Sequence, residues 1–448
     1  MRSPSPSPVQ NPLPRTTAIE TVQVLRDVQG PMVAKGPIIR RPKVVAVSER
    51  FDLDGRAVRR VQKLTEKYGR GPLVLNVPGR NMAMILDPDD VHRVLEGSPE
   101  PFATAETLKR NALKHFEPKV ALISHGAERT QRRRLNEETL GHDSPVHQMA
   151  ATFLPVVEQE SLALLDEVRS HGGVLDYDRF LETWYRVVRR VVLGDSARHD
   201  TELTELVEKL RGDGNWAFAK PVDTSGRAAL LDHLQAALDR AEPGSLAAYM
   251  AQMPKGPDAE PVQQIPQWLF AFDPAGMATF RALALLAAHP EHLEAARAQA
   301  TQEQQSDQAP TLSLLRATVL ESLRLWPTTP MILRETTTEV EFVHGVMPAG
   351  TSVLIFAPAF HRDERHLDFA HRFAPEEWDR PRTRDDWPLV PFSAGPGICP
   401  GRHLVLLLTS AMLADIVQRA ELELTSHTLD PERLPSLLNN VGLEFRLR

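Results

Sequence analysis

Apolar residues recur with helical spacing over most of the chain. Between about residues 126 and 300, Leu, Val and Ala return every three or four positions, and Pro or Gly marks the breaks. The same spacing predicts further helices at 49–69, 311–326 and 402–420. Short apolar or alternating runs predict strands, and these runs are 73–77, 82–86, a hairpin within 340–358 and parts of 421–448. The pattern predicts a mainly α protein with small β-sheets.

Composition changes this picture only at the N-terminus. The Ser-Pro repeats of MRSPSPSP predict a flexible tail over residues 1–34, ahead of one domain at 35–448. Of the 448 residues, 42% are hydrophobic and 25% charged, with a net charge of −7, as in a globular protein that does not bind nucleic acid. The chain has no run of eighteen apolar residues and no signal-like start, so we expect a cytoplasmic monomer without a membrane partner.

The one cysteine, Cys399, has an unusual setting. It ends a loop rich in Gly and Pro and stands just before a long predicted helix. A lone Cys is more often a buried, inert residue. Here, however, glycines allow the backbone to approach a large flat group, and a helix N-terminus favours a thiolate. A nucleophilic Cys would need a base such as His403, whereas a metal-bound thiolate would not.

The segment FSAGPGICPG resembles the haem-binding signature F-x-x-G-x-x-x-C-x-G of the cytochrome P450 family, soluble bacterial type. Its fixed positions are Phe392, Gly395, Cys399 and Gly401. The resemblance implies a single large domain with haem b between the long central helix and the helix after the cysteine loop. It also implies that Cys399 is the axial thiolate of the iron, which favours O–O cleavage.

A second segment, ESLR, is similar to the family's E-x-x-R motif. Glu321 and Arg324 lie on one face of an apolar helix, which suits a buried pair better than a surface one. The family's following P-E-R-F-like segment here has Glu377 where a basic residue is usual, and Arg372 could supply the third partner instead.

Other arginines match cofactor contacts of the family. Arg129 and Arg133 correspond to the H-x-x-x-R residues that meet one haem propionate, and Arg334 to a second propionate contact. Alternatively, the arginines between 129 and 134 form a solvent-exposed basic helix face with no role in cofactor binding. The resemblance also implies a ferredoxin or flavodoxin-type donor, with electrons ultimately from NAD(P)H. We expect it to dock on a basic patch of four arginines, Arg129, Arg132, Arg134 and Arg402.

The stretch AFDPAGMATF stands where the family usually carries a proton-delivering A/G-G-x-D/E-T motif. One register reads Ala275-Gly276-x-x-Thr279 as that motif. The other counts sixteen residues back from Pro290 and places Pro274 at the threonine and Asp273 at the acid. We favour the second register, because it aligns the chain with the family up to the segment HPE (residues 289–291) without a gap. It predicts a kinked helix with a freed carbonyl near residue 270 and Asp273 as the remaining relay residue.

The resemblance places substrate contacts at 101–123, 213–223, 328–332 and 439–442. An apolar pocket is expected from five residues, Phe270, Phe272, Met331, Ile332 and Val441, although core packing explains each equally well. Family peroxygenases also carry this proline but precede it with arginine. That arginine binds the carboxylate of a fatty-acid substrate, whereas Asp273 would repel it. We therefore expect a neutral or cationic substrate.

Three functions therefore compete. The first is a haem-thiolate monooxygenase acting with O₂ on an apolar small molecule. The second is a peroxygenase, or a haem isomerase or dehydratase, because Pro274 replaces the threonine. The third is a haem protein that binds ligands without catalysis.

Overall fold

The computed structural model describes residues 12–305 and 309–448, and its helices outnumber its strands. The helices of the N-terminal half are α1 (Ala18–Val24), α2 (Gly30–Lys35), α3 (Pro42–Arg50), α4 (Leu53–Tyr68), α5 (Pro88–Glu96), α6 (Thr107–Leu113), α7 (Gly126–Thr139), α8 (Ala150–Ser170), α9 (Tyr177–Leu193) and α10 (Thr201–Gly214). Those that follow are α11 (Thr224–Arg240), α12 (Leu246–Gln252), α13 (Ile265–Ala288), α14 (Pro290–Gln304), α15 (Ser313–Leu325), α16 (Ala357–His361) and α17 (Arg402–Arg419).

The strands are short. They are β1 (Pro72–Leu75), β2 (Met82–Ile85), β3 (Phe102–Ala103), β4 (Val174–Asp176), β5 (Met331–Thr336), β6 (Val340–Phe342), β7 (Gly345–Met347), β8 (Ser352–Phe356), β9 (Leu422–Leu424) and β10 (Glu444–Leu447). They form sheets with the orders β1-β2-β8-β5-β3, β4-β10-β9 and β6-β7. All neighbours are antiparallel except β2 and β8. The predicted class, mainly α with small sheets, is confirmed.

The central helix α13 organises the core. It packs against α9 on one side and against α15 and α17 on others, while α8 packs on both α9 and α17. The helical stretch Pro261–Ala288, which includes α13, is long and apolar enough to span a membrane, but 82% of the 18-residue window that meets this criterion is buried inside the fold. Burial in the core is a sufficient reason for its apolar composition.

The start of the chain departs from the predicted tail. Residues 1–11 lie outside the described residues, but from 12 onward the segment is ordered by specific contacts. Thr17 caps α1 in a capping box with Glu20, whose carboxylate also accepts from Tyr68 at 2.6 Å. The buried Asp27 pairs with Arg60 of α4 at 3.0 Å. The flexible-tail boundary at residue 34 is therefore wrong, because these polar anchors and the buried Val24 fix residues 12–34 onto α4.

Candidate functional site: the cysteine loop and the central helix

The loop before α17 holds its shape through its own backbone. The Cys399 N–H donates to Phe392 O at 3.0 Å, and the Ile398 N–H donates to Gly395 O at 3.0 Å. Gly395 has φ +60°, and a Cβ there would lie 2.3 Å from Leu95 O, so a side chain is excluded by strain and by backbone. The loop thus presents Cys399 at the start of α17 in a fixed conformation.

Two opposing effects act on the Cys399 thiol. Desolvation raises its pKa, and this outweighs the opposite pull of the Gly401 N–H and of the nearby Arg133 and Arg402. The expectation that the helix N-terminus alone favours a thiolate is therefore not met. A bound iron would reverse this balance, since a coordinating thiol is deprotonated outright.

Buried cations without acid partners surround the same loop. Arg129 reaches Pro396 O at 3.5 Å, and its Nε is buried without a partner among the described residues. Arg334 donates to Ser393 Oγ at 3.0 Å, and a Cβ on Gly397 would lie 2.7 Å from its Nη2. Burial lowers the pKa of Arg334 to about 10.

Lys109 adds a cation that sequence reasoning missed, since nothing distinguishes it within TLKRNALK. Its Nζ donates to Thr104 O at 2.7 Å and Leu333 O at 3.1 Å. Burial first, and then Arg334, lower its pKa to about 7. Among the described residues, no carboxylate lies within 4.0 Å of the charged nitrogens of Lys109, Arg129 or Arg334. Such a cluster fits a cofactor with two carboxylates, as haem b has.

Arg133 lies beside the cysteine loop as well. It donates to Ile398 O at 2.7 Å and pairs with Glu137 at 2.6 Å, while its second terminal nitrogen is buried without a partner among the described residues. The residues present therefore fit a haem, whose iron Cys399 would bind and whose carboxylates Arg129, Arg133, Arg334 and Lys109 would meet.

Glu321 and Arg324 form a pair that is fully shielded from solvent. Arg324 Nε lies 2.6 Å from Glu321 Oε1, and both side chains have 0% exposure. The carboxylate also accepts from the Ala374 N–H and the Trp378 indole, each at 2.9 Å. The arginine donates to backbone carbonyls, including Arg372 O at 2.6 Å.

The third partner therefore differs from the one that the sequence suggested. Arg372 contributes its carbonyl, while its own guanidinium donates to Asp368 O. Glu377, at the family's basic position, instead lies 3.7 Å from Arg382. The Trp378 indole occupies the role of hydrogen-bond donor to Glu321 that a basic residue would have.

The helix α13 runs without interruption through Pro274. The kink predicted at Pro274 stays a prediction, while one nearby carbonyl accepts from a donor outside the helix. Trp184 Nε1 of α9 donates to Phe272 O at 2.7 Å. On the other face, Asp273 Oδ2 lies 2.6 Å from Arg211, and the Tyr185 hydroxyl lies 3.4 Å from Oδ1.

Thr279 has a different environment from Pro274. The threonine has 0% exposure, and its hydroxyl donates to Ala275 O at 2.8 Å. Asp273 and Pro274 are only partly buried. Asp273 lines a cavity of about 260 Å³, together with Met277 on the same helix face.

Of the five predicted pocket residues, only Val441 lines that cavity. Phe270 packs edge-on against Phe116 and lies under the Arg211 guanidinium, and Phe272 faces Trp184, so neither side chain lines the cavity. Met331 and Ile332 are buried in separate clusters, because consecutive strand residues point to opposite faces. The lining is mostly apolar, as predicted, but it also includes four cationic side chains, Lys35, Arg40, Arg281 and Arg362.

The predicted basic patch is only partly at the surface. Arg129 and Arg132 are 8% and 5% exposed, because helical periodicity turns them inward. Arg132 donates to Ser124 Oγ at 2.7 Å and to Asp258 O at 3.0 Å. Arg134 is exposed but paired with Glu138, and Arg402 contacts His142.

Comparisons with known proteins agree with this geometry. The model of the family described as Cytochrome P450 matches residues 248–444. Cyclooctat-9-en-7-ol 5-monooxygenase of Streptomyces melanosporofaciens is 33% identical over 170 residues, 36% of this chain and 37% of that protein. Methyltetrahydroprotoberberine 14-monooxygenase of Papaver somniferum is 31% identical over 174 residues, 36% of this chain and 32% of its own length. The chain thus aligns with little more than a third of these curated relatives.

The fold is matched over a longer span. The structure of retinoic acid bound cyanobacterial CYP120A1 superposes with a TM-score of 0.66 at 18% identity, covering 86% of this chain and 93% of that one. The family match includes α13, the Glu321–Arg324 pair and the cysteine loop. Residues 248–444 of this chain thus match the cytochrome P450 family model, and the fold of the chain is similar to that of a solved cytochrome P450.

Proposed function

We propose that the protein is a haem-thiolate monooxygenase that inserts one oxygen atom from O₂ into a small organic substrate. The observation that carries the proposal is Cys399, held by a glycine loop beside buried cations that have no acid partner. Haem, when bound, supplies the oxygen-activating chemistry. The chain's own residues would bind the haem carboxylates, position the Cys399 thiol and transfer protons.

Asp273 is the residue that we assign to proton handling. Its carboxylate lies 2.6 Å from Arg211, and the residue lines the cavity beside α13. The Tyr185 hydroxyl lies within 3.5 Å of both Asp273 and Glu208. Burial raises the pKa of Glu208, which favours a proton there. A proton can therefore pass from Glu208 through Tyr185 to Asp273, beside Pro274.

The burial of Thr279 supports the register that places Pro274 at the usual threonine position. A hydroxyl already engaged with Ala275 O has no free proton to deliver. Pro274 has no hydroxyl, so water or substrate must complete the path from Asp273. This gap is the specific observation that favours the second candidate, a peroxide-dependent enzyme that needs no proton relay. A haem isomerase or dehydratase, and a haem protein that binds ligands without catalysis, remain the further alternatives.

We further propose a ferredoxin or flavodoxin-type donor, with NAD(P)H as the ultimate electron source, and a cytoplasmic monomer. The exposed arginine on α7, Arg134, and the half-exposed Arg402 at the start of α17 support docking near the cysteine loop. Charge reversal at Arg134 should slow donor-supported turnover and leave peroxide-supported turnover unchanged.

Asp273→Asn tests the monooxygenase and its relay. We expect product per electron to fall, with turnover lowered by about 10²-fold, because general acid–base catalysis contributes roughly that much. Pro274→Thr should raise product per electron by adding a hydroxyl. The measurement is product against NAD(P)H consumed with a ferredoxin system, and against peroxide in parallel.

Asp232→Asn, at an exposed position, is the matched control. It should change neither the product formed per NAD(P)H consumed nor the product formed with peroxide. If the wild type, Asp273→Asn and Pro274→Thr all formed the same amount of product per NAD(P)H consumed, Asp273 would be excluded as the relay residue. Product with peroxide alone would favour the peroxygenase. Ligand binding without product under either condition would favour a non-catalytic haem protein.

A further inference from the structure

The cavity beside α13 is built from segments distant in sequence. Its volume is about 260 Å³. The wall combines the loop between α2 and α3, the first turns of α9, one face of α13, the segment after α15 and the turn before β10. It opens next to Asp273, one residue from Pro274.

Arg40 contributes unused donors to this cavity. Its terminal nitrogens donate to Gly36 O at 2.7 Å and Thr328 O at 2.6 Å. A guanidinium has five N–H groups, so the Nε–H and one N–H on each terminal nitrogen have no partner among the described residues. Burial lowers the pKa of Arg40, while the nearby Asp54 and Asp273 act in the opposite direction.

Arg281 and Tyr177 face the same space. Arg281 donates to Leu438 O, Trp326 O and Asn440 Oδ1, which leaves one N–H on each terminal nitrogen. Burial lowers its pKa to about 10. The Tyr177 hydroxyl has no partner among the described residues, although the side chain is only 5% exposed. A buried hydroxyl without a partner is uncommon and indicates a missing acceptor.

The acidic side chains of the lining do not accept from these free donors. Asp54 lies 2.6 Å from Lys35, and Asp273 lies 2.6 Å from Arg211, so each has its own cation. Asp178 is exposed at the mouth. Glu208 lies 3.5 Å from the Tyr185 hydroxyl, and burial raises its pKa.

We propose that this cavity binds the carboxylate of an anionic organic substrate, with Arg40, Arg281 and Tyr177 as its donors. A carboxylate offers two oxygens to the planar fork of an arginine, and a hydroxyl can complete the set. The apolar part of the ligand would follow Met277 and Val441. The sequence argued against an anion because of Asp273, but Arg211 neutralises that charge.

The substrate role rests on the proposed function, whereas binding itself does not. The test is isothermal titration of the haem-loaded protein with decanoate, 1-decanol and decylamine, which share one chain length and differ in charge. We expect decanoate to bind at least about tenfold more tightly than decanol. Arg40→Gln should remove most of that preference.

Tyr177→Phe tests the same site with a variant that we expect to fold normally. Removing an unpartnered buried hydroxyl should leave the melting temperature unchanged or higher, while weakening decanoate severalfold. Arg41→Gln is the matched control, since that guanidinium lies outside the cavity over the Trp216 ring at 4.7 Å. It should leave all three affinities unchanged.

Equal affinity for decanoate and decanol, tighter binding of decylamine, or retention of the decanoate preference in both Arg40→Gln and Tyr177→Phe would overturn the proposal. Selective decanoate binding without turnover by a ferredoxin system would contradict only the proposed function. Turnover of neutral compounds without decanoate selectivity would contradict only this inference.

Discussion

His361 connects the buried Glu321–Arg324 pair to the loop that leads to Cys399. Its Nε2 accepts from the Val390 N–H at 2.9 Å, and its Nδ1 lies 3.3 Å from Arg324 O. These contacts require a neutral ring with the proton on Nδ1. Burial first, and then Arg324, lower its pKa to about 3.

This residue gives the fold an acid-sensitive point. The folded-state pKa lies below the unfolded value near 6.5, so the unfolded chain binds the extra proton first. The stability that neutral His361 contributes is complete above pH 6.5 and is lost as the pH falls towards 3. We expect His361→Asn to flatten the fall of the unfolding free energy across this window, as measured by denaturant titration.

The exposed His171→Asn serves as the comparison and should keep the wild-type slope. An unchanged slope in His361→Asn would show that the ring is not neutral in the folded protein.

Residue spacing could predict some of these contacts and not others. The i, i+3 spacing places Glu321 and Arg324 on one helix face, so their pairing follows from helix geometry alone. Trp378 as the donor to Glu321 depends on a loop path that no local pattern encodes. The inward turn of Arg132 depends likewise on Asp258, far away in sequence.

At the scale of elements, α13 is fixed by its contact with α9. The Trp184 side chain lies flat against Gly276, where a Cβ would come within 2.8 Å of the indole Cδ1. Its indole N–H donates to Phe272 O, one turn earlier. The glycine of the apparent Ala275-Gly276-x-x-Thr279 motif therefore has a packing role against α9.

Gly276→Ala tests this contact. Trp184 is fully buried and cannot move aside, so we expect the unfolding free energy to fall by about 1–3 kcal/mol, as for other overpacked cores. Thermal unfolding gives the measurement. Gly212→Ala on α10 is the control, because its Cβ would meet nothing within 4 Å and alanine favours a helix by up to about 1 kcal/mol. If both variants were equally stable, the packing of Trp184 on Gly276 would be wrong.

The elements themselves were largely predictable. The strand pair at 73–77 and 82–86 and the helices at 311–326 and 402–420 appear within a few residues as β1, β2, α15 and α17. Their hydrophobic periods are strong and their ends carry turn residues. The ordered segment at residues 12–34 was missed, because its anchors are single polar residues such as Glu20 and Asp27.

At the scale of the whole molecule, the tertiary fold brings four distant segments to one place. Helices α6 and α7 and the strand β5 bring Lys109, Arg129 and Arg334 to the loop before α17, and none of the three has an acid partner among the described residues. The family motifs predicted the loop, Arg129, Arg133 and Arg334. The cationic side chains of the cavity could not be predicted in this way, because its wall is assembled only by the tertiary fold.

The absorption spectrum of the reduced, carbon-monoxide-bound protein tests the central claim, that Cys399 holds a haem iron as a thiolate. We predict the strongly red-shifted Soret band of thiolate ligation, and its loss in Cys399→Ser. A band at the position typical of a neutral ligand in the wild type, or a red-shifted band that survives Cys399→Ser, would contradict the account.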